Sequence, residues 1–322
     1  MADALAFSYA CGLDAETAAP LAPHTTLNVG GPADLLVRTR SPRELSKALG
    51  AAHLMGLPYL LLGGGSNMLI SDRGFRGLAI KIETPPGKRN SGQVLFETGG
   101  AVGLRCDAGI FTAGLARWTA SLGWTGFEWA AGIPGRIGGA AAGNAGAYGG
   151  DMAHSVARVR AWFPDGEREL AVAELDYDYR TSRFKHSGEA SAVLSVDLHL
   201  APGNKETALA TIDQYERSRR ERQPAERSCG SMFKNPRDAQ GVVVDYSGRL
   251  IEAAGLKGTT AGGAQISEKH GNFFINRGAA RAADVLALVR QARSRVQDLC
   301  GLRLEVEILL VGEWLPEEVS DL

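Results

Sequence analysis

The amino-acid sequence predicts an α+β protein of two domains, and three observations carry that prediction. The chain has 322 residues, enough for two domains at roughly 150 residues each. Hydrophobic residues make up 44% and charged residues 22% of it, the balance of a globular protein with a sizeable core. Strand-like runs crowd the chain as far as "AVLSVDLHL" (residues 192–200), whereas long helical patterns dominate the remainder.

From Leu35, "LLVRT", "SPRELSKALGAAHLMGLP" and "YLLLGGGSN" read as strand, helix, strand. Ser41 with Glu44 makes a capping box, and Pro42 sits at the first helical position, where its missing N–H costs nothing. Short strands come next at "GLAIKI" and "VLFETGG", then a helix from about Phe111 to Leu122. "ARVRAWF" and "AVLSVDLHL" are strands, the first ending in a Pro164-Asp165-Gly166 turn. The segment Asn204 to Arg222 is helical, and a domain boundary is expected near residue 215. Beyond it come a loop, a short helix, a loop and a long helix from about Ala280 to Cys300. Val285, Val289, Ala292, Val296 and Leu299 form the apolar face of that helix, and Gly301 stops it. "LRLEVEILLV" is expected as a closing strand.

Composition excludes several functions. Net charge is −1, so no global field draws the chain to nucleic acid or to an anionic membrane. The start lacks a secretory signal and no apolar run approaches membrane-spanning length, which predicts a cytoplasmic protein. Cys11, Cys106, Cys229 and Cys300 are far apart, which predicts reduced thiols and no metal centre. Oligomeric state stays open.

Two glycine-rich stretches carry the chemistry. "LGGGSNMLI" comes directly after an apolar strand; it is no dinucleotide fingerprint, because Met68 stands where GxGxxG needs glycine, and no P-loop, because Gly-Lys-Ser/Thr is missing. "AGIPGRIGGAAAGNAGAYGGD", Ala131 to Asp151, holds eight glycines. Each glycine costs roughly 0.5–1 kcal/mol of extra chain entropy relative to alanine in regular structure. Successive backbone N–H groups can cradle an anion. A large flat cofactor with a diphosphate would explain both loops, its bulk taking the place of the missing side chains; tight turns without a ligand are the plain alternative.

"HTTLNVGGPAD" from His24, "LLGGGSN" from Leu61, "GFEWAAGIPGRIGGAAAGNAGAYGG" from Gly126, "YDYRTSRFK" from Tyr177, "GSMFKNP" from Gly230 and "LEVEI" from Leu304 together resemble the UDP-N-acetylenolpyruvoylglucosamine reductases, also called UDP-N-acetylmuramate dehydrogenases. The resemblance runs from residue 24 to residue 308. It implies a two-part FAD-binding domain of the vanillyl-alcohol oxidase (PCMH) type over residues 1–215, split near residue 85, and a smaller α/β substrate-binding domain over 216–322. It implies FAD as cofactor, NADPH as co-substrate, and a nucleotide sugar, UDP-N-acetylglucosamine enolpyruvate, as substrate. By the same likeness Gly63, Gly64, Gly65, Ser66 and Asn67 would hold the FAD diphosphate. Gly132, Ile133, Pro134, Gly135, Gly138, Gly139, Asn144, Gly146 and Tyr148 would line the rest of the cofactor.

Three residues are then expected to be catalytic. Arg180 suits the substrate carboxylate, because guanidinium is permanently charged and donates two parallel hydrogen bonds. Ser231 matches the family's proton donor. Glu307 matches the glutamate that polarises the reacting carboxylate, leaving Glu305 as surface. Spacing alone makes Arg180 a solvated strand end, Ser231 a turn and Glu307 a wet strand face; the family pattern selects them. Tyr179, Arg222, Lys234, Asn235 and His270 are the expected substrate contacts. The chain matches the shorter variant of the family, which leaves open what closes over the substrate.

A rival reading starts from Ser231 to Lys234, which satisfy the S-x-x-K pattern of penicillin-binding acyl transferases. Its companion motifs are missing, and Pro236 would fall inside the helix that the motif opens. An alcohol or lactone oxidase of the same flavin fold, and a nucleotide-sugar sensor without turnover, are two further alternatives.

Overall fold

The computed structural model describes residues 2–84 and 87–321. Two compact units make up the chain. The first takes residues up to Thr17, Leu35–Gly63 and Gly77–Arg219; the second takes Ala18–Asp34, Gly64–Arg76 and everything from Arg220. The split expected near residue 85 falls at Pro85 and Pro86, outside the described residues.

In the first unit the helix Pro42–Leu54 begins where its signals predict. Ser41 Oγ accepts from Glu44 N at 3.2 Å, and Glu44 Oε2 accepts from Arg40 N at 2.7 Å. Leu45, Ala48 and Leu49 on its inner face pack with Leu78, Ile80 and Trp162. The strand Tyr59–Leu62 runs parallel to Phe75–Ile82, with Leu62 opposite Lys81. That register puts the start of the first glycine loop beside a lysine.

A larger antiparallel sheet follows in this unit, in the order Gly166–Ala171, Val156–Phe163, Ala192–Pro202, Ala101–Asp107, Gln93–Thr98. Pro164 and Asp165 make the two-residue hairpin, since Phe163 faces Gly166. The central strand Ala192–Pro202 buries consecutive residues rather than alternate ones, because it is covered on both faces. Asp197 within it is compensated by Arg105, whose Nε and Nη2 each donate to a carboxylate oxygen at 2.7 Å. The helices Thr112–Ser121 and Lys205–Arg222 lie where expected, and Asn204 caps the second by accepting from Thr207 N at 2.8 Å.

The second unit contains a sheet that sequence patterning did not predict: Ser228–Ser231, Phe273–Asn276, Ala264–Ile266 and Thr260–Ala261, all antiparallel. Strands of two to four residues with serine and glycine among them carry too little periodicity to read. The helix Ala282–Cys300 packs Val285, Val289, Ala292 and Val296 against Ile266, Phe233 and Phe274. Leu299, expected on the same face, is 56% exposed, because the last turn has rotated past the core. Gly301 stops the helix at φ +71° as predicted. The closing strand is also shorter than expected. Only Leu309–Val311 pairs as a strand, parallel to Met68–Ile70. Within 302–308 only an isolated antiparallel bridge forms, Val306 opposite Phe233, with Lys234 N donating to Glu305 O and Glu307 N to Met232 O, each at 2.9 Å.

Among the described residues no helix is long and apolar enough to cross a membrane.

The N-terminus of Ala282–Cys300 is closed by Asp72, whose carboxylate accepts from Ala282 N at 2.8 Å and Ala283 N at 3.1 Å. An acidic cap satisfies two orphan donors and complements the helix dipole. Asp72→Ala is expected to lower unfolding stability by about 1–2 kcal/mol, read as a reduced urea midpoint at unchanged slope, and Asp72→Asn by less.

Candidate active site

In the second unit, Gly65 turns at φ +61°, and a Cβ on it would stand 2.4 Å from the His24 carbonyl oxygen. Its own carbonyl accepts from Thr26 N at 3.1 Å. The backbone approach is too close for any side chain. After this turn, Asn67 is tied to the C-terminal segment twice: its carbonyl accepts from Leu309 N at 3.1 Å, and its Nδ2 donates to the Glu307 carbonyl at 3.4 Å. On its other side Glu307 N donates to Met232 O at 2.9 Å. Met232 directly follows Ser231, which ends the strand Ser228–Ser231. Gly230, at φ +81°, turns that strand towards Ser66, whose carbonyl would lie 3.8 Å from an added Cβ. Ser66, Asn67, Ser231 and Glu307 are thereby gathered, although Asn67 and Glu307 stand 240 residues apart in the sequence.

Buried Asn272 fixes this arrangement. Its Oδ1 accepts from Phe233 N at 2.9 Å and its Nδ2 donates to Phe233 O at 2.8 Å, in the manner of a strand partner. Over 304–308 Leu304 and Ile308 are buried and Glu305 is exposed, whereas Val306 and Glu307 are both half-buried. Among the described residues the Ser231 hydroxyl makes no hydrogen bond within the protein.

The other polar candidates of this unit are mostly engaged. Lys234 forms an ion pair with Glu305. Asn235 Oδ1 accepts from Ser247 N at 3.2 Å. His270 packs edge-on to Phe273 with centroids 4.9 Å apart, and its Nδ1 accepts from Asn272 N at 3.1 Å. Burial, and then the nearby Lys257 charge, lower the His270 pKa, favouring a neutral ring. Arg222 is exposed at the end of its helix. Ser231 closes a strand instead of opening a helix, and Lys234 is committed to a carboxylate, so the acyl-transferase reading loses its geometry.

In the first unit, the second glycine stretch wraps the short helix Ile137–Ala142. Much of it is stripped to fit the protein's own atoms, which corrects the expectation that a ligand takes all the vacated space. An added Cβ would lie 2.7 Å from Ala108 Cβ at Gly138, 2.8 Å from Asp151 Cβ at Gly146 and 2.8 Å from Arg219 Cδ at Gly132. At Gly139, by contrast, nothing among the described residues lies within 4 Å of an added Cβ. Ile133 packs on the core, Pro134 is exposed, and Gly135, at φ +107°, accepts from Thr112 N at 3.2 Å.

Asn144, Tyr148 and Arg180 all have positive φ, at 42°, 52° and 60°. Such backbone costs about 1–3 kcal/mol at a non-glycine residue and persists only where its surroundings impose it. Buried Asn144 donates from Nδ2 to the Asp178 carbonyl at 2.9 Å and accepts at Oδ1 from Ala153 N at 3.0 Å. Asp178 and Thr181 exchange two backbone bonds, which makes a tight turn with Tyr179 and Arg180 at its tip. Arg180 reaches back from that turn to the Gly146 carbonyl at 2.9 Å and lies 5.2 Å from the Tyr179 ring centroid. Turn and glycine loop are thus laced together. Tyr148 stacks on Tyr215 with centroids 3.9 Å apart and donates to the Tyr215 carbonyl at 2.9 Å.

Three cations near these loops escaped sequence reasoning. Lys81, buried, donates to the Gly63 carbonyl at 2.6 Å. Arg136 lies 3.6 Å over the Phe111 ring, and its Cγ would be 3.2 Å from a Cβ at Gly63. Arg219 covers Gly132 beside Tyr148; burial lowers its pKa, opposed by that tyrosine. A lysine in the apolar strand "GLAIKI" and an arginine inside a glycine stretch were the available signals; Arg219 was hidden in a basic run.

Comparison with known proteins defines the class first: residues 33–170 match the FAD binding domain family, so the expected α+β class with a cofactor domain of the vanillyl-alcohol oxidase (PCMH) type is borne out, and the chain is a flavin-dependent oxidoreductase. Residues 223–311 match the family described as UDP-N-acetylenolpyruvoylglucosamine reductase, C-terminal domain. The UDP-N-acetylenolpyruvoylglucosamine reductase of Anaeromyxobacter dehalogenans is 42% identical over 306 residues, 94% of this chain and 88% of that protein. That of Chloroflexus aggregans is 40% identical over 296 residues, 91% and 96%. The crystal structure of the Thermus caldophilus enzyme superposes with a TM-score of 0.72 at 34% identity, covering 93% of this chain and 98% of that one. The chain belongs to the UDP-N-acetylenolpyruvoylglucosamine reductase family.

Asn144→Ala removes both partners of two backbone groups, and an unsatisfied buried group costs about 1–3 kcal/mol. The expected outcome is a loss of about 3 kcal/mol in denaturant unfolding, with Asn144→Asp losing at least as much, because it keeps the acceptor for Ala153 N but sets a buried carboxylate oxygen against the Asp178 carbonyl.

Proposed function

We propose that this chain reduces UDP-N-acetylglucosamine enolpyruvate to UDP-N-acetylmuramate in peptidoglycan synthesis, with FAD as bound cofactor and NADPH as reductant. Residues 1–215 are assigned to cofactor binding and 216–322 to substrate binding. A cytoplasmic location belongs to the same proposal, because the reaction consumes NADPH and a nucleotide sugar. The observation that carries the reading is the gathering of Asn67, Ser231 and Glu307 by the backbone bonds of Glu307 to Met232 and Asn67.

The residues present fit the cofactor. Space beside Gly139 is open, and buried Lys81 supplies positive charge at Gly63, against which the stem of Arg136 also lies. Gly63, Gly64, Gly65, Ser66 and Asn67 would hold the diphosphate, and Gly132, Ile133, Pro134, Gly135, Gly138, Gly139, Asn144, Gly146 and Tyr148 the remainder. FAD, when bound, supplies the hydride relay from NADPH to the enolpyruvyl double bond.

This chain's own groups manage the charge and the proton. Arg180 binds the substrate carboxylate, on which negative charge builds as the double bond is reduced. Glu307 is assigned the polarisation of the reacting carboxyl group. Ser231 then delivers its hydroxyl proton to the carbanionic carbon; a weak acid suffices because that carbon is strongly basic. Tyr179, Arg222, Lys234, Asn235 and His270 are carried as substrate contacts, of which Arg222 is the most accessible.

The purified chain should be yellow, bleach with NADPH under anaerobic conditions, and recover its colour on addition of the enolpyruvyl substrate. A colourless chain, or recovery without that substrate, overturns the reading. Ser231→Ala should leave bleaching unchanged and slow recovery by about 10²–10⁴ in stopped flow; equal loss in both steps contradicts the role of Ser231. Gly139→Leu should keep or slightly raise the melting temperature, since leucine favours a helix by about 0.5–1 kcal/mol over glycine, yet purify with little flavin.

A further inference from the structure

The residues around Gly63 have an unusual charge pattern. Lys81 lies on the strand Phe75–Ile82 and is only 8% exposed, with its Nζ 2.6 Å from the Gly63 carbonyl oxygen. Arg136, whose stem reaches within 3.2 Å of where a Gly63 Cβ would be, donates from Nη1 to Gly109 O at 2.7 Å. Among the described residues its Nε has no hydrogen-bond partner, although it is buried. Two cationic side chains therefore border Gly63, Lys81 through its ammonium and Arg136 through its stem, and Arg136 keeps a buried donor unsatisfied. A buried unsatisfied charged donor is costly unless a ligand completes it.

The charged groups facing Lys81 do not cancel this excess. On its own strand's continuation Glu83 attracts the ammonium, but Glu83 is already shared with Arg38 at 3.6 Å and Arg40 at 3.8 Å from the neighbouring strand. Arg38 and Arg136 both repel Lys81, and Arg89 repels Arg136. Arg38 is also paired with Glu16 at 3.3 Å, so two carboxylates serve the five cations Lys81, Arg38, Arg40, Arg89 and Arg136.

We propose that Lys81, with Arg136 beside it, is the counter-charge for the cofactor's diphosphate and that the chain takes up FAD together with a proton on Lys81. The inference rests on the proposed assignment of the diphosphate to Gly63–Asn67. Before FAD binds, burial, and after it the Arg136 charge, lower the Lys81 pKa to about 8. A dianionic diphosphate favours the ammonium form and raises that pKa again. By linkage, affinity is full below pH 8 and declines as pH rises through it, because binding must then draw a proton from solution. No covalent bond changes; one proton moves from solvent to the lysine amine.

The test measures FAD binding to the full-length chain by equilibrium dialysis from pH 7 to pH 9, with salt held constant. The wild-type dissociation constant should rise about tenfold across that range. Lys81→Met should bind about tenfold more weakly at pH 7, the weight of one charge-assisted bond, and show no such pH dependence. Lys81→Arg, charged throughout, should also lose the pH dependence. Thermal melts check that each variant is folded, and the wild-type profile decides the matter even if neither variant folds. A flat wild-type profile, or an unchanged profile in Lys81→Met, overturns the inference while leaving the flavin reading intact. No FAD bound at any pH overturns that reading and the inference with it.

Discussion

Everything assigned to the second unit depends on how Asn67 is fastened. One hydrogen bond to its carbonyl and one from its amide hold residues 307–309 to the end of the first glycine loop, and the parallel pairing of Met68–Ile70 with Leu309–Val311 extends the seam. Neither bond is strong; a protein hydrogen bond contributes about 1 kcal/mol net. Their value is positional. Glu307 is caught between Asn67 and Met232, so the direction of its Cα–Cβ bond is set by two backbone registers. A proton donor and a carboxyl group drawn from distant stretches of chain need such a fixture, because catalysis falls off steeply with misplacement on the ångström scale.

The first unit uses a different device. Asn144, Tyr148 and Arg180 occupy left-handed backbone that non-glycine residues avoid, and all three lie in or against the second glycine stretch. Their strain is held by bonds that cross from the loop to the 178–181 turn: Asn144 to Asp178 in one direction, Arg180 to Gly146 in the other. Concentrated strain of this kind marks places where geometry matters more than local stability.

Much of the architecture was legible in the sequence, for identifiable reasons. The helix Pro42–Leu54 announced itself through Ser41, Pro42 and Glu44, and the helix Ala282–Cys300 through its apolar stripe and Gly301. The glycine stretches stood out by composition, and the motif order gave the family and the catalytic candidates. The small sheet around Ser231 was illegible, because its strands are too short for a period and depend on Asn272 imitating a backbone partner. The 302–308 segment looked like a strand because alternation is a property of burial, and burial does not require a continuous ladder. Lys81 was overlooked for a similar reason: its neighbours in "GLAIKI" declare a core strand, and nothing local shows that the Gly63 carbonyl waits at its tip. The glycines misled in one respect, since close packing at Gly132, Gly138 and Gly146 empties side-chain space as surely as a ligand would.

The chain crosses between its two compact units five times, at residues 17/18, 34/35, 63/64, 76/77 and 219/220. On the ribosome, therefore, Ala18–Asp34 and Gly64–Arg76 emerge long before the residues that complete their unit. These early pieces must wait for more than a hundred further residues to be translated, a topology of high contact order that slows folding. Cutting the protein at 219/220 would leave both fragments incomplete, one carrying two orphaned segments and the other missing them. The gene is thus read as one indivisible sentence, although the finished molecule has two clauses.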